Sequence, residues 1–127
     1  MFEKLELTRM AQSLAAQSGA RMAVIAENIA NADTPGYKAK DIPAFAEVYE
    51  AEGLAMRTTR SGHLGVSSQG AAPIPDIARG HESPNGNSVS LEAEMVKSVE
   101  ARQNHDMALA IYRATSDVIR ASLGRPR

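Results

Sequence analysis

The first thirty residues constrain this chain more than any other stretch. Small or apolar residues recur at Leu7, Ala11, Leu14, Ser18, Met22, Ile25, Ile29 and Ala32, in steps of three and four, the period of an α-helix. Ala, Leu, Met, Gln and Glu dominate the stretch and all are good helix formers; Gly19 is a soft position, costing about 1 kcal/mol against Ala. A helix of this length runs on the order of 45 Å. Long helices draw most of their stability from packing rather than propensity, and a narrow, Ala-rich stripe buries little. The N-terminal helix therefore needs a partner.

The C-terminal third supplies a second stripe. Met95, Val99, Met107, Ile111, Ala114, Val118 and Ala121 recur at helical spacing, interrupted by Arg102, Gln103 and Asp106. Ser90 is the expected N-cap, and Glu92 and Glu94 stand in the first turn, where the helix dipole favours acids. Arg120 and Arg125 lie near the other end, and Gly124 and Pro126 stop the helix.

Between the stripes, periodicity gives way to turn signals: Pro35-Gly36, Pro43, Gly53, Gly62, Gly65, Gly70, Pro73, Pro75 and Pro84-Asn85-Gly86-Asn87. Ile42 to Tyr49 reads as a short helix after Pro43; Thr58-Thr59 and Leu64 to Ser67 read as short strands. Gly70 to Asn87 has the composition of a loop that is mobile or orders on contact. The expected fold is mainly α. Long N- and C-terminal helices form an antiparallel coiled-coil-like hairpin, with an irregular, short-β insert between them. Three zones follow: 1–33, the N-terminal helix; 34–89, the turn motif and middle insert; and 90–127, the C-terminal helix.

Composition points the same way. Aromatic residues make up 4% of the 127 and Trp is absent, so a stand-alone core is thin. Partner subunits are expected to cover the stripes. Leu7, Leu14, Met22, Ile25 and Ile29 are the candidate assembly residues of one helix, and Met95, Val99, Met107, Ile111 and Val118 those of the other. The net charge is −1 with scattered cations, and no basic, aromatic-interleaved patch exists to track phosphates; nucleic acid is not an expected partner. The chain contains no Cys, which excludes disulfides and thiolate metal sites. The N-terminus has acids at Glu3 and Glu6 and lacks the apolar core of a secretory signal. No stretch approaches the ~20 apolar residues of a membrane span.

Chemistry finds little footing. His63, His81 and His105 lack metal-ligand spacing, and His105 and Asp106 are adjacent on a helix, a poor ligand pair. Gly62, Gly65 and Gly70 lack the Gly-Lys-Ser/Thr of a phosphate loop, and Ser61 has no nucleophile elbow around it. Glu92 and Glu94 read as helix N-terminal acids rather than acid–base catalysts. The polar face of the first helix mixes Glu3, Glu6, Arg9, Arg21 and Glu27, unlike the Lys/Arg-rich face of a membrane-surface helix. No enzyme, cofactor, metal or small-molecule substrate is expected.

The junction Asn28 to Tyr37 is heavily punctuated. Asn28 and Asn31 are weak helix residues whose amides can satisfy free carbonyls at a helix end. Thr34 precedes Pro and is pushed out of the helical region. Pro35-Gly36 fits the centre of a type II turn, with Gly supplying the positive φ. Tyr37 then folds back on the helix end. An ordinary helix stop is the plainer reading; a rigid corner built by Asn28, Asn31, Thr34, Pro35, Gly36 and Tyr37 is the sharper one.

The stretch Ala26-Glu27-Asn28-Ile29-Ala30-Asn31-Ala32-Asp33-Thr34-Pro35-Gly36-Tyr37 resembles the N-terminal motif of flagellar basal-body rod and hook proteins. Its continuation, Lys38 to Phe45, and the segment Asn87-Ser88-Val89-Ser90-Leu91-Glu92-Ala93-Glu94-Met95 are most similar to the proximal rod subunits, the FlgB family. The resemblance covers both termini, about two-thirds of the chain, and is weak over 50–85. It implies a structural subunit of the bacterial flagellar basal-body rod, crossing the periplasm and exported by the type III apparatus without a cleaved signal peptide. The terminal helices would pack as an inner tube. Implied partners are other rod subunits, the chain itself, the rod–MS-ring adaptor and the export gate; membrane insertion is not implied. The alternative is a non-flagellar helical coiled-coil interaction module.

Overall fold

The computed structural model describes residues 2–53, 75–78 and 82–124. Helix α1 spans Phe2–Ala30 and helix α3 Leu91–Ser122; between them come strand β1 (Lys40–Asp41), helix α2 (Phe45–Gly53) and strand β2 (Asp76–Ile77). The two long helices pack on each other. The end of α1 meets the start of α3 through Asn28 and Glu94, so the pair is antiparallel, as the sequence leads one to expect.

The seam repeats in sevens on both helices. Ala11, Ser18 and Ile25 are buried on α1, and Glu94, Ala101, Ala108 and Thr115 on α3. A seven-residue repeat keeps one stripe facing its partner in coiled-coil fashion. Five of these seven side chains are Ala, Ser or Thr, and small contact residues permit close helix approach.

Local chemistry explains the helix limits. The Ser90 side chain accepts a hydrogen bond from the Ala93 amide at the start of α3, the N-cap role expected of it. At the other end, Leu123 N–H donates to Ile119 O and Gly124 follows.

The short helix begins later than the sequence suggested. The amides of Glu47 and Val48 donate to Ala44 O, so the helix opens after Ala44. Ile42 is instead buried beside β1, with its amide bonded to Asp41 Oδ1; the residue before a proline is disfavoured in helical geometry. Phe45 and Tyr49 stack along α2 with ring centroids 5.4 Å apart.

The strands are β1 and β2, pairing antiparallel as Lys40 with Ile77 and Asp41 with Asp76, and the Ala78 amide extends the ribbon by donating to Ala39 O at 2.8 Å. The strands expected at Thr58-Thr59 and Leu64 to Ser67 lie outside the described residues. Of the stretch read as a loop from Gly70 to Asn87, residues 76–78 pair in this ribbon and residues 82–87 dock on the corner, as described below.

Candidate functional site: a polar corner and an outward apolar face

The corner is built by three segments that meet at the end of α1. Thr34 to Tyr37 forms a turn closed by Tyr37 N–H to Thr34 O at 3.3 Å, with Gly36 at φ 73°. A second turn, Ser83 to Gly86, closes with Gly86 N–H to Ser83 O at 2.8 Å, and Gly86 has φ 80°. The two turns lie against each other: Gly36 N–H donates to Asn85 O, and a Cβ at Gly86 would stand 3.4 Å from Gly36 Cα. The positive φ favours glycine at 86.

Asn87 is the residue that sequence reasoning missed as part of the corner. It is buried, and its Nδ2 lies 3.0, 2.8 and 2.8 Å from the carbonyls of Asn31, Ala32 and Thr34. It thereby gathers carbonyls just past the end of α1, of which Asn31 O and Thr34 O also accept backbone amides. Its own Oδ1 accepts from the Val89 amide at 2.7 Å, which aims the chain into α3. The signal was present in the Asn87 to Met95 segment, but its partners are more than fifty residues away.

Asn28 does more than end a helix. It is fully buried, and its amide takes both backbone groups of Lys40: Nδ2 donates to Lys40 O at 2.7 Å and Oδ1 accepts from Lys40 N at 3.0 Å. The same Nδ2 donates to Glu94 Oε2 at 3.0 Å. Asn31 stays local, donating to Glu27 O at 2.8 Å, while its Oδ1 accepts from the Thr34 hydroxyl. The Tyr37 hydroxyl folds back on the helix as expected, 3.3 Å from Glu27 Oε1 and 3.4 Å from Asn28 Oδ1; burial and then the Glu27 charge push its pKa up. Lys40 pairs with Glu27 at 2.7 Å, and that hydrogen bond holds Glu27 below the usual carboxylate range. Lys38 closes the far side on Glu82.

A charged chain crosses behind the corner. Glu94 accepts from Lys97 Nζ at 3.0 Å, Lys97 also pairs with Asp41 at 3.1 Å, and Asp41 takes Arg21 at 3.1 and 3.3 Å. Burial pushes Asp41 up, but the hydrogen bonds from Arg21 and Lys97 outweigh it and leave its pKa lowered. Burial pushes Lys97 down, and its bonds to Glu94 and Asp41 outweigh that and leave it raised. Glu94, read from sequence as a helix N-terminal acid, stands in the first turn of α3 and is 2% exposed at the seam. The arrangement orients backbone and charge. His105 and Asp106 approach only to 3.9 Å, and among the described residues no group of three or more His, Cys, Asp or Glu stands ready to hold a metal ion.

The candidate assembly residues divide into two sets. Ile25 closes the intramolecular seam, and Leu14, Met22 and Ile111 are half-buried. Leu7, Ile29, Met95, Val99, Met107 and Val118 are exposed, with Met95 at 62% and Val99 at 66%. Leu91 and Val96 join Met95 and Val99 in the first turns of α3 as exposed large apolar residues. The α1–α3 seam therefore uses the smaller row of α3 and leaves the bulkier one outward.

Comparison with known proteins places this geometry. A family model described as flagella basal body rod protein matches residues 9–38, most of α1 and the first turn of the corner. The flagellar basal body rod protein FlgB of Agrobacterium fabrum is 33% identical over 120 residues, covering 88% of each chain. The chain belongs to the FlgB family of flagellar basal body rod proteins. FlgB of Salmonella typhimurium is 30% identical over 101 residues, 72% of this chain and 73% of that one. FlgB of Escherichia coli K12 is 29% identical over 127 residues, covering 87% and 88%. As an FlgB-family member the chain is a structural subunit of the flagellar basal body rod, serving motility. Among the described residues of this FlgB-type fold, no helix is long and apolar enough to cross a membrane.

Proposed function

We propose that this rod subunit acts in the proximal rod and assembles through the outward faces of its two terminal helices after type III export. The observation that carries the reading is the uncovered face of α3, where Met95, Val99, Met107 and Val118 stand exposed. Burying a Val or Met side chain fully gives about 1.5–3 kcal/mol, so neighbours that cover this row gain substantially. Leu7 and Ile29 extend the contact onto α1, while Ile25, with half-buried Leu14, Met22 and Ile111, holds the hairpin that presents it. The corner of Asn28, Asn31, Thr34, Pro35, Gly36 and Tyr37 fixes the angle at which the insert leaves the helices. Neighbouring rod subunits, further copies of the chain, the rod–MS-ring adaptor and the export gate are the partners this reading names. The assembled position is the periplasm-crossing rod, reached without a cleaved signal peptide.

The test is complementation of a strain lacking the native subunit with the M95D/V99D double variant. The expected result is export at the normal level, loss of swarming, and basal bodies stalled before the rod. Normal motility with that variant would refute the assembly role of the α3 face.

A further inference from the structure

The inward and outward faces of α3 are in an unexpected order. The buried row is Glu94, Ala101, Ala108 and Thr115, whereas Leu91, Met95, Val96 and Val99 point away from α1. A helix left to hydrophobicity turns its bulkier row inward. Met95 and Val99 lie about 100° and 140° around the axis from Glu94, at 100° per residue. A roll of α3 by roughly a third of a turn would therefore carry them into the seam. Farther along, exposed Arg102 and Asp106 continue that outward row and resist burial, but the first two turns need a hold of their own.

The structure assigns this hold to Glu94: its hydrogen bond with Asn28 is a phase lock that keeps α3 turned with its small row inward and its apolar row presented to a partner. Three features support the assignment. The Glu94 side chain is 2% exposed and lies in the first turn of α3, so it fixes the helix where rotation would start. Its oxygens are divided between Asn28 Nδ2 and Lys97 Nζ. Asn28 is itself immobilised, because its amide is committed to both backbone groups of Lys40. Lys97, tied to Asp41 and through it to Arg21, braces the same turn of α3 from the neighbouring side. A polar residue at one core position of a helix pair specifies alignment where apolar packing does not. Here it specifies rotation, and Glu94 acts as a positioning residue. The inference concerns the isolated chain and holds or fails independently of the assembly proposed above.

The test uses the absence of native cysteine. V99C gives the purified full chain one thiol, whose modification rate by a small disulfide reagent is compared with the rate in denaturant, while circular dichroism follows helicity. With Glu94 present the thiol should react near the unfolded rate. E94Q, which still accepts from Asn28, should behave alike. E94A should retain its helices yet slow the reaction roughly ten-fold, as for a group that reacts only through local opening. An unchanged rate in helical E94A overturns the phase lock. Should E94A lose helicity, N28S makes a smaller lesion with the same expected slowing. Loss of helicity in both variants also overturns the proposal and leaves the pair a purely structural role.

Discussion

Asn28 Nδ2 stands 3.0 Å from Glu94 Oε2, and this single buried bond joins the last turn of α1 to the first turn of α3 across 66 residues of sequence. Hydrogen bonds to charged groups contribute about 1.5–3 kcal/mol, and a buried polar group left unpaired costs a comparable amount. N28A should therefore destabilise the chain by roughly 2–3 kcal/mol in urea unfolding. An N28A/E94A double-mutant cycle should show coupling, because residues in one network are non-additive. Additive losses would show that the two residues act separately.

Asn87 answers for three carbonyls of the α1 end at once. N87A removes this shared side-chain donor, although Asn31 O and Thr34 O keep the amides of Thr34 and Tyr37, and should cost about 1–3 kcal/mol. It should also raise amide exchange at Ser88, which donates to Tyr37 O, and at Tyr37, whose amide donates to Thr34 O. The S90A cap variant should cost about 0.5–2 kcal/mol and affect only the first turn of α3. Equal exchange patterns for the two variants would contradict this division.

Both turn glycines have positive φ, so G86A and G36A should each lose roughly 1–2 kcal/mol in urea unfolding. The methyl of G86A would stand in ordinary van der Waals contact with Gly36 Cα, and that of G36A in open space. In the P35A/G36A double variant, monomer helicity should stay nearly unchanged while motility falls; normal swarming would remove the corner from the account.

The charged chain gives a pH signature. Asp41 has a lowered pKa in the fold, so its stabilisation is present above the unfolded carboxylate value, about 4, and is lost as pH falls through the lower folded value. Lys97 has a raised pKa, so its contribution is present below about 10.4 and is lost as pH climbs through the higher folded value. Melting temperature measured against pH should be flat between these limits and fall at both ends. D41N should blunt the acid limb. An undiminished acid limb in D41N would place the sensitivity elsewhere.

The elements that could be read from the sequence are those set by neighbouring residues. Ser90 capping α3, the Thr34 to Tyr37 turn and the return of Tyr37 each depend on chemistry within about ten positions. The elements that could not be read depend on distant partners. Pairing of Lys40-Asp41 with Asp76-Ile77 joins two-residue strands with no periodicity of their own. The inward face of α3 also depends on a distant partner. Periodicity marks the row of Met95 and Val99, which the sequence assigns to assembly, while the burial of Glu94, Ala101 and Ala108 shows which row turns inward. The outward row then becomes the more telling feature, because nothing among the described residues of α1 covers it.

The most direct measurement of the assembly claim is the reactivity of a single V99C thiol in purified basal bodies and in the isolated chain. Val99 is 66% exposed in the chain alone, so the isolated thiol should react freely, while the same thiol inside the rod should be shielded until the structure is dissociated. A thiol that reacts as fast in intact rods as in the free chain would contradict the account.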